Sequence, residues 1–179
     1  MSSNWSRVIL LLACLLPSPA VRAKVFVHTR EYSGIQEAID AESGVSGGVM
    51  LEFYIEGGVY KENVVIDKRG FELYGWGGGT GPVVIEAADP SKPAVSITAN
   101  GDNCRLEALH IRGATGNNGV IINNAIFCII SGCRIYNNNR GVMIQGGSQT
   151  FRRIQTGVLD PATDAYANGS FCTPTRAAL

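Results

Sequence analysis

Two kinds of residue in this chain could do chemistry, and they lie in different halves. Carboxylates crowd the first half, at Glu52, Glu56, Glu62, Glu72 and Glu86. Fixed cations mark the second, where Arg140, Arg152 and Arg153 precede Asp160 and Asp164. Two carboxylates flanking a glycosidic bond can hydrolyse it. A carboxylate nucleophile beside a second acid of different pKa can open an ester. An arginine beside a uronate could serve a lyase or epimerase, given calcium ligands, of which about six or more oxygens are needed. Only Asp160 and Asp164 follow Glu107, so the second half is short of such ligands. The early glutamates alternate with apolar residues and are expected on solvated faces.

Other chemistries find less support. His28 and His110 stand alone, and no CxxC pair is accompanied by histidine at zinc spacing, so neither a metal nor a cofactor is expected. Residues Gly75 to Gly81 read "GWGGGTG". A phosphate loop would continue into Lys-Ser/Thr or a helix; here Pro82 and the apolar run "VVI" follow, which makes the segment a turn. Cys104, Cys128 and Cys133 have apolar neighbours and read as small buried hydrophobes, although an oxidising compartment could also pair them or Cys172.

The chain opens with an export pattern. Arg7 precedes the apolar run Val8 to Leu16, and Val21–Arg22–Ala23 supplies a cleavage site before Lys24. The run is too short to span a bilayer. "LLAC" at Cys14 loosely resembles a lipoprotein box, but apolar rather than polar residues continue after it. Cleavage after residue 23 removes Arg7 and Arg22, taking the basic residues from 15 to 13 against 15 acidic ones. A secreted or periplasmic location is expected, with no nucleic-acid partner and no membrane association beyond export. The segment from Ala108 onward is basic and could attract an anionic polymer; scattered arginines that only solvate the surface are the plainer reading. Asn168–Gly169–Ser170 is a glycosylation sequon by pattern.

The elements that must hold these residues are short strands. One helix is predicted near 33–42, with Ser33 and Gln36 as a capping box, Ile35, Ala38 and Ile39 as its apolar stripe, and Gly44 as its stop. After it, Leu51/Phe53/Ile55, Val64/Ile66, Phe71/Leu73, Val83/Ile85 and Val95/Ile97 alternate between turn residues, as half-buried strands do. "NNGVII" at Asn117 returns as "NRGVMI" at Asn139, and "CRLEALHI" at Cys104 returns as "CIISGCRI" at Cys128. Such spacing is the mark of a solenoid, in which equivalent side chains stack as ladders. The expected ladders are Val95–Val120–Val142, Ile97–Ile122–Ile144, Cys104–Cys128 and Ile111–Ile135. Asparagines 117, 118 and 137 to 139 fall at turns, where their amides can satisfy a neighbouring coil. A β-sandwich also uses many short strands but gives no reason for the repeated phrases. The fold class is therefore all-β: a right-handed parallel β-helix over residues 24–157, its open end covered by the helix, followed by an irregular tail over 158–179.

The phrases "IQEAID", "GVYKENVVI" and "LYGWGGGTGPVVI" resemble the N-terminal coils of the pectin-lyase-like superfamily, in wording closest to pectin methylesterases. The resemblance runs from about Val25 to Gly157 and implies the β-helix far more specifically than it implies activity. The asparagine-rich repeats are also similar to β-helix proteins of the periplasmic copper-accessory type. By the esterase resemblance, a glutamine phrase falls on Asn118–Gly119–Val120, a Gln-Asp phrase on Asn139–Arg140, and a second aspartate phrase near Asp160. Asn118 and Asn139, with Gln145 beyond them, are then the candidate substrate contacts, and Asp160 and Arg140 the candidate catalytic residues. Arg140 stands where the family's first aspartate would be, and Pro161 follows Asp160. The resemblance thus implies either a non-catalytic or shortened β-helix that binds carbohydrate or a partner, or a polysaccharide-modifying enzyme, a pectinesterase-like esterase or a polyuronate lyase or epimerase, with an acidic polysaccharide such as pectin as partner. The closing stretch "DPATDAYANGSFCTPTRAAL" carries neither a period-two run nor a cap pattern, so an uncapped last coil, open to end-to-end association, is expected.

Overall fold

A computed structural model describes residues 23–27, 32–45, 50–77, 81–146, 149–152, 155–157, 159–160 and 165–166. The export segment and most of the tail lie outside them. Runs of three to six residues that alternate apolar and polar can bury only one face, and here each face finds the equivalent face of the next coil. β1 (Ala23–Val27) and α1 (Ile35–Ala41) come first. Three strands then make each turn of the coil: β2 (Leu51–Glu56), β3 (Gly58–Lys61) and β4 (Val64–Ile66); β5 (Phe71–Trp76), β6 (Val83–Glu86) and β7 (Val95–Ile97). The pattern continues through β8 (Arg105–Glu107), β9 (Leu109–Arg112) and β10 (Asn118–Asn123), then β11 (Cys128–Ser131), β12 (Arg134–Tyr136) and β13 (Arg140–Gln145), and opens a further turn with β14 (Gln149–Arg152) and β15 (Gln155–Gly157). Stacking yields three parallel sheets: β1-β2-β5-β8-β11-β14, β3-β6-β9-β12-β15 and β4-β7-β10-β13. The molecule is a right-handed parallel β-helix. β16 (Leu159–Asp160) and β17 (Ala165–Tyr166) form a separate antiparallel pair.

The predicted ladders are present. Val95, Val120 and Val142 are in register, as are Ile97, Ile122 and Ile144, and Ile111 pairs with Ile135. All are buried. Cys104 and Cys128 occupy equivalent positions, since Arg105 pairs with Ile129. Phe53 and Phe71 are fully buried and meet at 4.9 Å between ring centroids. The corners between sheets are also ladders. Gly70, Asn103 and Phe127 share one corner with φ of 78°, 55° and 57°; Gly113 and Asn137 share another at 90° and 53°. A left-handed residue at each corner turns the chain without breaking inter-coil hydrogen bonding, such as Gly70 N–H to Asp102 O at 2.9 Å and Asn103 N–H to Ile126 O at 2.9 Å. The turn asparagines act as expected across coils. Asn138 Nδ2 donates to Ile111 O at 3.1 Å while its Oδ1 accepts from Ala114 N–H at 2.9 Å, and Asn117 Nδ2 donates to Ser91 O at 2.8 Å.

The helix differs from its prediction at both ends. It runs Ile35–Ala41, its N-cap is Gly34, and no capping box forms. Ser33 instead turns its hydroxyl to Glu37 at 2.6 Å. The helix start is closed from another coil, where the Glu62 carboxylate accepts Ile35 N–H at 3.1 Å and Gln36 N–H at 2.7 Å. Glu62 therefore caps a helix and does not merely face solvent. Asn63 beside it bridges to the next coil: its Nδ2 donates to Asp89 O and Pro93 O, and its Oδ1 accepts from Asp89 N–H. Ile35, Ala38 and Ile39 are fully buried, as an amphipathic cap over the solenoid end requires. Among the described residues no helix is long and apolar enough to cross a membrane, which says nothing of a β-barrel.

Candidate functional site

The same alternation that turns Leu51, Phe53, Phe71 and Leu73 inward turns Glu52, Tyr54, Glu72 and Tyr74 outward on the first sheet. Register then stacks like on like. Glu52 pairs with Glu72 and Glu72 with Arg105; Tyr54 pairs with Tyr74 and Tyr74 with Glu107. The six side chains line one cleft of about 220 Å³. Although they point away from the core, Glu52 and Glu72 are only 5% and 7% exposed. Two carboxylates thus stand on strands about 4.8 Å apart, shielded from water.

Each carboxylate has a partner. Tyr54 donates its hydroxyl to Glu52 at 2.9 Å, and Arg105 Nη1 donates to Glu72 at 3.2 Å. Arg105 Nε lies 3.1 Å from Glu107 without the alignment of a hydrogen bond, so that contact is one of charge. The Glu52 hydrogen bond, assisted by burial and the charge itself, raises the Tyr54 phenol above its ordinary pKa and keeps it a donor. Tyr54 meets Tyr74 edge-on at 5.5 Å and Trp76 at 6.3 Å. The Lys24 ammonium lies 4.9 Å from the Tyr54 ring centre, a cation–π contact. The cleft thus offers carboxylate acceptors, phenols, a guanidinium and an aromatic wall, the groups that grip hydroxyl-bearing rings.

This corrects the expectation that these glutamates lie on solvated faces. Glu72, Arg105 and Glu107 are together. A signal was available in the sequence: "LEFY" at Leu51 and "FELY" at Phe71 carry Glu and Tyr at the same two outward positions.

The residues expected to carry an ester hydrolase's chemistry lie elsewhere. Asn118 opens β10 on the third sheet, paired in register with Arg140 at the start of β13. Asn118 is buried; its Nδ2 donates to Asn117 at 2.9 Å, and its Oδ1 has no hydrogen-bond partner. Asn139 and Arg140 are exposed. Gln145 closes β13 opposite Asn123, five positions from Arg140, or roughly 16 Å along a strand. Asp160 ends β16, and its side chain lies outside the described residues. The structure therefore brings Asn118, Asn139 and Arg140 to one corner and places Gln145 at the far end of the same strand. Among the described residues no group of three or more His, Cys, Asp or Glu side chains is arranged to hold a metal.

No family model and no curated protein matches the chain. Solved structures do. A pectin methylesterase mutant in complex with a hexasaccharide matches with TM-score 0.62 and 15% identity over 74% of this chain and 48% of that one. The deglycosylated pectin methylesterase from Aspergillus niger matches with TM-score 0.54 and 18% identity over 79% of this chain and 51% of that one. This chain spans about half the length of each. At such identity the likeness concerns the backbone, and it establishes that the chain has the right-handed parallel β-helix fold of the pectin methylesterases.

Proposed function

We propose that this chain is an exported, secreted or periplasmic β-helix that binds carbohydrate on the outer face of its first sheet and does not cleave pectin methyl esters. The observation that carries the reading is the cleft of Glu52, Tyr54, Glu72, Tyr74, Arg105 and Glu107. Tyrosine rings present flat apolar faces for sugar C–H groups, and the charged side chains accept and donate hydrogen bonds to ring hydroxyls. One similar β-helix was solved with a hexasaccharide, which supports a saccharide as the ligand class. Isothermal titration with short oligosaccharides tests the reading. Binding is expected in the purified chain and a loss of at least tenfold in Tyr54→Ala and Tyr74→Ala; no binding to any saccharide overturns it.

The ester-cleaving alternative rests on Asp160 and Arg140. Little or no methanol should be released from methylated pectin, and turnover abolished by Asp160→Asn would overturn the non-catalytic reading. A second enzymatic reading draws on one specific feature: Glu52 and Glu72 are neighbours in register on strands about 4.8 Å apart, and a retaining glycosidase uses two carboxyls about 5–5.5 Å apart. Reducing ends released by the chain and lost in Glu72→Gln would favour it.

A further inference from the structure

Charge decides which saccharide such a cleft can take. Glu52, Glu72 and Glu107 face it against the single guanidinium of Arg105, which already contacts two of the three. With Glu52 and Glu72 more than nine-tenths buried, solvent screens them little, and Coulomb terms at such sites exceed those at an open surface. A uronate carboxylate entering here would meet three like charges against two cations already placed, Arg105 between its glutamates and Lys24, in register beside Glu52 and turned to the Tyr54 ring. An ammonium would meet the reverse. The ring face of Tyr54 adds a quadrupole that attracts cations, and the chain demonstrates this preference itself, holding the Lys24 ammonium 4.9 Å from that ring. The volume of about 220 Å³ is below the ~300–1,000 Å³ of clefts that bury drug-sized ligands, and suits one small polar unit.

We propose that the cleft selects a cationic saccharide, a sugar unit with a free amine in its ammonium form, in preference to a uronate. Lys24 is then an internal competitor for the face of Tyr54. The inference rests on the saccharide-binding reading and adds the charge of the ligand to it. Among the described residues the second sheet, where Glu86 is shared between Arg112 at 2.6 Å and Lys61 at 3.7 Å, has no comparable excess of carboxylates.

Calorimetry at pH 6 and low salt tests the inference with three probes of equal length: a glucosamine oligomer, its N-acetylated counterpart and an oligogalacturonate. The glucosamine oligomer is expected to bind at least tenfold more tightly than either of the others and to weaken severalfold as salt is raised. Glu72→Gln should cost about tenfold for glucosamine and nothing for the N-acetyl form. Because Glu72 is buried, Glu107→Gln at the cleft's wetter edge is the second variant, with the same direction expected. Lys24→Ala should tighten glucosamine binding severalfold. Equal binding of the glucosamine and N-acetyl oligomers overturns the charge inference while leaving saccharide binding intact. Tighter binding of the oligogalacturonate overturns it as well. Failure of all three probes to bind overturns the proposed function with it.

Discussion

Glu62 and Gln36 are 26 residues apart, yet the carboxylate of one accepts the backbone N–H of the other at 2.7 Å. The contact is repaid from the other side, where Gln36 Oε1 accepts Val65 N–H at 2.7 Å. Helix start and first coil are thus closed by each other, and the apolar stripe of the helix is fixed over the end of the solenoid.

Removing that carboxylate should therefore loosen the end of the fold. Glu62→Gln is expected to lower unfolding stability by about 1 kcal/mol, as for loss of a charged helix cap. Gly34→Ala should act through the same contact, because a Cβ there would lie 2.7 Å from Glu62 Oε1. A double-mutant cycle in urea checks this. The two losses should sum to more than the double variant shows, whereas simple additivity would mean that Gly34 does not seat Glu62.

Backbone approach between coils imposes a second constraint. A Cβ on Gly75 would collide with Ala108 O, the carbonyl at the equivalent corner of the following coil. Ala108 is tied to the next coil by its own N–H, which donates to Ser131 O at 3.0 Å, and Gly75 sits in a strand paired on both sides, so relief must come from moving a whole turn. Gly75→Ala is expected to cost about 2–3 kcal/mol, read as a shift in the urea midpoint. At Gly77, where a Cβ would meet nothing within 4 Å, the same change should cost under about 0.5 kcal/mol.

How far the sequence revealed these arrangements depends on range. The ladders were legible because a period-two strand and a coil-length repeat act together: once Val120 and Val142 are aligned, the inward positions follow. The strand pair "LEFY" and "FELY" carries the same information about the outward face, but a glutamate considered alone points to water. Burial of Glu52 and Glu72 depends on what stands beside them, on Tyr54, Arg105 and Lys24, brought by three other positions in the stack. The cap failed to be legible for the same reason. A capping box is a local pattern, and Ser33 and Gln36 satisfied it on paper, whereas Glu62 closes the helix from a coil away. Asp160 follows the last complete turn, where no repeat remains to supply a register.

Three buried groups predict how the fold responds to alkali. Burial pushes the Cys104 thiol up to about 12 and the Cys133 thiol up to about 11, from an ordinary 9.0. Burial, with the charges of Glu56 and Glu62, pushes the Tyr60 phenol up to about 12 from 10.0. Each acid is raised in the folded state, so its contribution is fully present below the unfolded value, near pH 9 to 10. It is then lost as pH rises toward 11 to 12, where the unfolded chain releases protons that the folded chain retains. The urea midpoint should be insensitive to these groups up to about pH 8.5 and fall between pH 9 and 11.5, less steeply in Tyr60→Phe. Iodoacetamide at pH 8.5 should label Cys104, Cys128 and Cys133 only after unfolding, since burial also raises Cys128. Labelling in the native state would show that the ladder opens.

Phe127 offers a prediction of the opposite sign. It shares a corner with Gly70 and Asn103, and all three take positive φ. Glycine adopts that conformation freely and asparagine tolerates it, whereas a residue with an ordinary Cβ gives up roughly 1–2 kcal/mol. Its ring recovers little of this by burial, being 60% exposed. Phe127→Asn should therefore raise unfolding stability by about 1 kcal/mol, with the Asn103 conformation as its template. Phe127→Gly should gain less, because glycine has more backbone freedom to lose on folding. If Phe127→Asn instead weakens the fold, the ring is making contacts whose worth exceeds the strain of its backbone, and the corner is held by the side chain rather than in spite of it.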